Sequence, residues 1–276
     1  MNLKVVNLRR CTALVIVAIF LLSVALPFSH AISNCPTSGV PVTANLTLNS
    51  PCTYTSENGI SLGANSITLN CAGFAITFSG SGSYEGIAVV GFSSVTIENC
   101  PVTGFTTGFY VLSSPRTTLK GNSATNDHYG FYVLYSPSTV IGSSAATGNT
   151  ATSDFYGFDI TQSFNDQISG NTATVNKYGF YVVDSVGAII ISNTASSNTI
   201  DGFYFYYSLF PNTQYKVTAN TADLNGVTGY YDYTVGAGNL GLANTYTNNE
   251  CSGNSFYGSD DGYAGIAPAG LCTPQG

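Results

Sequence analysis

Residues 121–134 read GNSATNDHYGFYVL, residues 148–161 read GNTATSDFYGFDIT, and residues 170–183 read GNTATVNKYGFYVV. Three near-copies in one chain mark a structural unit that recurs along the sequence. The cycle extends well beyond them. A Gly followed by an apolar or aromatic residue recurs at Gly59-Ile60, Gly86-Ile87, Gly108-Phe109, Gly130-Phe131, Gly157-Phe158, Gly179-Phe180, Gly202-Phe203 and Gly229-Tyr230, at spacings of 27, 22, 22, 27, 22, 23 and 27 residues. An Asn series keeps the same beat: Asn70, Asn99, Asn122, Asn149, Asn171, Asn193, Asn220 and Asn244. From Asn122, Asn149 and Asn171 to the next Gly is eight residues each time, so the two series are locked in phase.

Within a repeat the pattern has period two. After the Gly come FYVL, FYVL, FDIT, FYVV and FYFY, which puts Phe109, Phe131, Phe158, Phe180 and Phe203 on one face with Val111, Val133, Ile160, Val182 and Phe205. Short alternating segments between turn residues read as β-strands. A repeat of about 22 residues cannot bury its apolar face alone, but stacked coils can, each hydrogen-bonding to the next. Like residues then lie above like. The expectation is a Phe ladder inside and an Asn ladder at a corner, with Asn supplying the left-handed backbone that a corner needs. The predicted fold class is all-β, a single-stranded right-handed parallel β-helix of about eight coils. The chain divides into a signal peptide (1–31), an N-terminal cap (32–57), the repeats (58–250) and a C-terminal cap or tail (251–276).

Composition agrees. Of 276 residues, 8% are charged and 44% hydrophobic, with 19 Tyr, 16 Phe, 30 Gly and no Trp. Soluble helical proteins carry about 25% charged residues on their outer faces. The apolar content argues against a disordered chain. A net charge of −7 with no basic stripe excludes nucleic acid as a partner.

Lys4, Arg9 and Arg10 precede the apolar run Thr12–Phe28, and Ser29-His30-Ala31 follows it. This is the layout of a cleaved secretory signal; a retained membrane anchor is the alternative. Removing residues 1–31 leaves four bases against 14 acids, a net charge of −10, and one histidine, His128. It also leaves six cysteines, which in an exported chain suggest disulfides. Nearness in sequence suggests Cys35–Cys52 and Cys251–Cys272, which leaves Cys71 and Cys100 to pair.

The stretches GANSITLNCAGFAI (63–76) and GFSSVTIENCPVTGF (91–105), followed by repeated GNTAT and YGFYV, resemble the right-handed parallel β-helix repeat. The N-terminal part resembles the NosD-type periplasmic β-helix family and related carbohydrate-active β-helices. The resemblance covers about Asn58 to Asn249 and implies the fold; the repeat residues are the fold itself and say little of activity. It also brings a copper-associated label, which one His, no Met after residue 1 and six paired Cys do not support. No cofactor and no metal site are therefore expected. Asp260-Asp261 is a weak calcium candidate.

Two coils are longer than the others, with extra residues near Ser138–Gly148 and Leu209–Tyr215. Both insertions are expected on the same side, flanking a floor of two shorter coils. Beside that floor runs an outward column, Tyr110, Tyr132, Asp159, Tyr181 and Tyr204, with Tyr129, Tyr156 and Tyr178 just before the Gly. Such a column reads as a flat platform for sugar rings, with Tyr110, Tyr132, Tyr156, Tyr178, Tyr181 and Tyr204 as ligand-binding residues; Tyr also simply suits a strand surface. The acids Asp154, Asp159, Asp166 and Asp184 read as solvated surface groups. The catalytic alternative takes Asp159 and Asp184 as the acid–base pair of a glycoside hydrolase or polysaccharide lyase. The combined Asn-Thr-Asp, Asp-Asp and Gly-His-Gly set of polygalacturonases is not found, nor the calcium cluster of pectate lyases. The Ser/Thr-Ala-Thr units after each Asn form a Thr ladder of the kind seen on ice-binding solenoids, but the flanking Asn place it at a corner. The resulting expectation is an exported or cell-surface, non-enzymatic, monomeric β-helix. Its partner is a polysaccharide or surface glycan, with no membrane span in the mature chain. The alternatives are the carboxylate enzyme and a purely structural spacer.

Overall fold

The computed structural model describes residues 34–206, 214–233, 244–255 and 271–274. The signal segment 1–31, Asp260-Asp261 and most of the Leu209–Tyr215 insertion lie outside the described residues. No described residue is helical, and all strand pairs are parallel. The chain winds as a right-handed β-helix of about eight turns, each full turn adding one strand to each of three sheets. The sheets have eight, nine and ten strands.

The eight-stranded sheet carries the Gly-Phe segments. Its strands include Thr107–Leu112, Tyr129–Leu134, Tyr156–Thr161, Tyr178–Val183 and Asp201–Tyr206. The register places Phe109, Phe131, Phe158, Phe180, Phe203 and Tyr230 in one inward column. Their rings stack 4.5–4.8 Å apart with planes within 7° of parallel. The Gly before each Phe is needed because the next coil lies so close. A Cβ on Gly130 would stand 2.7 Å from the Gly157 carbonyl oxygen.

The Asn ladder is real and lies at a buried corner, but its membership differs from the sequence reading. Its rungs are Asn122, Asn149, Asn171, Asn193, Asn220 and Asn249. Each rung accepts from the backbone N–H of the rung before it, as Asn149 N–H donates to Asn171 Oδ1 at 2.9 Å. Each also donates to a strand carbonyl, as Asn171 Nδ2 does to Ile141 O at 2.7 Å. Asn70, Asn99 and Asn244 are not rungs. Cys100 holds the rung position before Asn122, to whose Oδ1 its N–H donates at 3.0 Å, and a disulfide ties it to Cys71. At most rungs the left-handed backbone falls on the residue before the rung, as at Gly121, Gly170, Ser192 and Ala219. The Asn side chain thus stays in a regular conformation and points inward.

Five residues after each rung, at the next corner, a second ladder runs: Asp127, Asp154, Asn176, Asn198, Asn225 and Asn254. Between the two corners lie Ser123–Thr125, Thr150–Thr152, Thr172–Thr174 and Thr194–Ser196, with Ala inward and Ser or Thr outward. These triplets are strands of the ten-stranded sheet. The expectation of a corner is overturned: the Asn are the corners, and three residues suffice for a strand because pairing runs from coil to coil.

The disulfides are Cys35–Cys52, Cys71–Cys100 and Cys251–Cys272. Cys35–Cys52 and Cys251–Cys272 staple the two ends of the solenoid, where an open β edge would invite further pairing, and Cys71–Cys100 ties two successive coils. Strands Leu46–Thr47 and Cys52–Tyr54 already pair with the coil above, and Thr273–Pro274 pairs with Glu250–Ser252. Disulfides of this kind belong to proteins that fold outside a reducing compartment and are consistent with an exported chain. No helix among the described residues is long and apolar enough to cross a membrane.

Candidate functional site

On the eight-stranded sheet, residues alternate in and out because successive strand side chains point to opposite faces. The central outer column is Ser61, Ala88, Tyr110, Tyr132, Asp159, Tyr181, Tyr204 and Tyr231. One column over stand Tyr129, Tyr156 and Tyr178, and on the other flank Tyr206 and Tyr233. All six tyrosines expected to bind ligand therefore share one face. Tyr129, Tyr206, Tyr231 and Tyr233 extend it, and the strand register alone would have found them.

The rings do not form a flat platform. Tyr181, Tyr204 and Tyr231 stack at 5.1 and 4.9 Å with planes 5° and 4° from parallel. Tyr129, Tyr156 and Tyr178 stack at 5.2 and 5.4 Å, within 13°. Stacked rings turn their faces to each other, so the column presents ring edges and hydroxyls to solvent. This mutual packing half-buries the phenols. Burial pushes the Tyr156 phenol up to about 12, and those of Tyr132, Tyr181 and Tyr204 higher.

The central column breaks at Asp159. A missing ring between Tyr132 and Tyr181 leaves their Cα atoms about 10 Å apart across two strand spacings. Rings of the next column fill in beside it: Tyr129 stacks on Tyr132 at 4.8 Å and 17°, and Tyr156, in line with its own column, stands 4.9 Å from Tyr181 at 53°. Asp159 is only 5% exposed. Its charge bears on four phenols, those of Tyr129, Tyr132, Tyr156 and Tyr181. Thr161 Oγ1, two residues on, donates to Asp159 Oδ1 at 2.6 Å. Burial pushes the carboxyl up to about 7 despite that bond, because water is excluded from the charged form. The break was legible as a single departure from the Tyr column; its burial and the Thr161 bond were not.

Asp184 has different neighbours. It is buried in a left-handed turn position just past the strand Tyr178–Val183. Its charge bears on the interior Tyr215, which also feels Asp166 and Asp232. Two-carboxylate hydrolysis requires both groups at one substrate bond, whereas Asp159 faces the outer rings and Asp184 faces Tyr215.

The reading of Asp154, Asp159, Asp166 and Asp184 as solvated is overturned: all four are buried. In the second ladder, Asp127 and Asp154 take the place of Asn. Asp154 Oδ1 accepts from the Asp127 N–H at 2.8 Å, and Asp127 Oδ1 from the Phe105 N–H at 2.7 Å. The Oδ2 of each is buried with no hydrogen-bond partner. Burial pushes Asp154 up to about 7. Burial, and then the charge of Asp154, push Asp127 up to about 9.

The insertion near Ser138–Gly148 does not flank the Tyr face. It leaves the nine-stranded sheet after Val140–Ile141 and, with Ala146 and Thr147, walls a cleft of about 210 Å³ over Glu98, Asn99, Lys120 and Gly121. Lys120 and Glu98 pair there at 2.8 Å. At the rim of the Tyr face, His128 stacks on Phe155 at 4.7 Å and the Lys177 ammonium lies 4.1 Å from the same ring centre.

Among solved structures, the chain is similar to a crystal structure of pectate lyase Pel9A. The identity is 15% and the TM-score 0.36, over 81% of this chain and 54% of that one. It is also similar to the catalytic domain of a GH87 α-1,3-glucanase in complex with nigerose. There the identity is 14% and the TM-score 0.27, over 85% of this chain and 62% of that one. The chain thus spans between half and two thirds of the length of these structures. No curated protein matches it. The model of a family described as periplasmic copper-binding protein (NosD) matches residues 33–143 and 73–264. That match takes in most of the three-sheet solenoid, and the chain belongs to the NosD family.

Proposed function

We propose that this protein is a non-enzymatic glycan-binding β-helix of the cell surface or extracellular space, which holds its ligand on the tyrosine face. The observation that carries this reading is the tyrosine face itself, on which phenols stand in three adjacent columns with ring edges and hydroxyls towards solvent. A sugar offers apolar C–H groups to aromatic rings and hydroxyls to phenols, so such a face suits it. The NosD description concerns copper, and the donors in this chain do not fit that metal. All six cysteines after residue 31 are in disulfides, and His128, the one described histidine, lies stacked on Phe155. No group of three or more His, Cys, Asp or Glu that could hold a metal ion occurs among the described residues.

The test is retention of the purified protein on an array of neutral polysaccharides, with reducing and unsaturated ends measured in the same wells. The expected result is retention without product, weakened at least tenfold by Tyr132→Ala with Tyr181→Ala and unchanged by Asp159→Asn. Product that disappears with Asp159→Asn would overturn the reading in favour of a hydrolase or lyase. No retention and no product would leave a structural spacer.

A further inference from the structure

The ten-stranded sheet carries a second patterned face, on the Ser/Thr-Ala-Thr triplets. The Asn on either side of each triplet form the corners, and the hydroxyls between them share one sheet. In register, Ser123, Thr150, Thr172, Thr194 and Thr221 make one outward column. Thr103, Thr125, Thr152, Thr174 and Ser196 make the other. Rungs in a column lie about 4.8 Å apart, and the two columns roughly 6.6 Å apart, because a strand rises about 3.3 Å per residue. The result is a rectangular grid with four complete rungs, Ser123–Thr125 to Thr194–Ser196, and a single hydroxyl beyond each end. No position in it is charged, although the adjoining nine-stranded sheet carries Glu98, Lys120 and Lys216. Charge enters at one end of the columns, with Asp223 and Glu250. The grid is held from behind and from both edges. The Ala at the centre of each complete rung is fully buried, and buried Asn side chains bond coil to coil at both corners. Apart from Thr152 and Thr174, whose hydroxyls lie 3.4 Å apart, these hydroxyls have no hydrogen-bond partner among the described residues. Their partner is water.

A fixed, uncharged grid of hydroxyls, with a Thr methyl beside most of them, holds its first water layer in rows at the grid's own spacing. The fold has already met the cost of ordering the side chains' backbone, so little is lost when that layer joins a crystal. We propose that the Ser/Thr face of the ten-stranded sheet binds ice. It lies on a different sheet from the tyrosines and is independent of the glycan reading. The test is thermal hysteresis and inhibition of ice recrystallisation by the purified protein, with circular dichroism to show that each variant is folded. The wild type should open a gap between freezing and melting that grows with protein concentration. Thr152→Lys, which puts a charged stem in the middle of the grid, should cut the gap at least fivefold. Thr174→Tyr, uncharged and well suited to a strand, should do the same by bulk alone. Tyr132→Ala with Tyr181→Ala, on the other sheet, should leave the gap unchanged. A folded wild type with neither hysteresis nor recrystallisation inhibition overturns the inference. So does a gap that survives both grid variants, or one that the tyrosine variant abolishes.

Discussion

Replacing Asp127 and Asp154 together by Asn will raise the thermal midpoint at pH 8 by at least about 10 °C and leave it little changed at pH 4. The reason lies in the second corner ladder. From Asn176 onward, each rung uses its amide nitrogen to donate to a strand carbonyl, as Asn176 does to Ala151 O at 3.1 Å and Asn198 to Ala173 O at 3.2 Å. In Asp127 and Asp154 the same place is held by Oδ2. A Cβ on Gly130 would meet Asp154 Oδ2 at 2.5 Å, just as one on Gly157 would meet Asn176 Nδ2 at 2.8 Å. The register sets the Ala124 carbonyl opposite Asp154 as Ala151 is set opposite Asn176. Only a protonated carboxyl can donate there. The folded chain therefore holds these protons, with values pushed up to about 9 for Asp127 and about 7 for Asp154, while the unfolded chain releases them near 4.

The sign follows. Where the folded state binds more protons than the unfolded one, stability falls as pH rises. The protonated rungs contribute fully below pH 4. Stability then declines through the folded value near 7 for Asp154, and on towards 9 for Asp127. One unit is worth about 1.4 kcal/mol, so Asp154 alone costs the wild type about 4 kcal/mol at pH 8. At roughly 2–4 °C per kcal/mol for a chain of this size, the expected shift is large. Asp159 and Asp166, both pushed up to about 7 by burial, act in the same direction. The wild type should thus be more stable at pH 4–5 than at pH 8. Melting curves across pH 4–9 check this. An unchanged midpoint in the double variant at pH 8 would mean that the rungs tolerate charge.

Asn171→Ala will have the largest effect in the other ladder, lowering stability by about 3–5 kcal/mol. Asn171 Oδ1 accepts from the Asn149 backbone N–H at 2.9 Å and from Asn149 Nδ2 at 3.0 Å. Its own Nδ2 donates to Ile141 O at 2.7 Å and to Asn193 Oδ1 at 3.0 Å. The site is fully buried, so water does not replace the lost partners. Each buried group left unsatisfied costs about 1–3 kcal/mol. Asn171→Asp separates hydrogen bonding from shape. It should be tolerated near pH 4, where the acid can donate, and should destabilise strongly at pH 8. Urea unfolding at the two pH values measures both variants. An Ala variant within 1 kcal/mol of wild type would show that the ladder is ornament rather than support.

Much of the fold was legible because stacking turns sequence period into spatial columns. The Gly-Phe beat gave the inner ladder, and the alternation after it gave the outer Tyr column with the Asp159 break. Nearness along the chain gave two of the disulfides and left Cys71 and Cys100 as the third pair. The misreadings have one cause, which is that residue type was read without its column. Asp154 looks like a surface acid until it is seen five residues after Asn149, in line with Asn176 and Asn198, in a column that Asp127 shares. Asn70, Asn99 and Asn244 share the beat but miss the column. Ring orientation was beyond the sequence. Propensity places a Tyr on the face, but the neighbours above and below decide whether it shows a face or an edge.

The most direct test of the central claim is NMR of the protein with ¹³C-labelled tyrosine, titrated with the oligosaccharide that the array retains best. The account predicts that shifts concentrate on Tyr129, Tyr132, Tyr156 and Tyr181 around Asp159, with little change at Tyr231 and Tyr54. Shifts absent from those four rings while the sugar still binds, as through the cleft at Glu98 and Lys120, would contradict it.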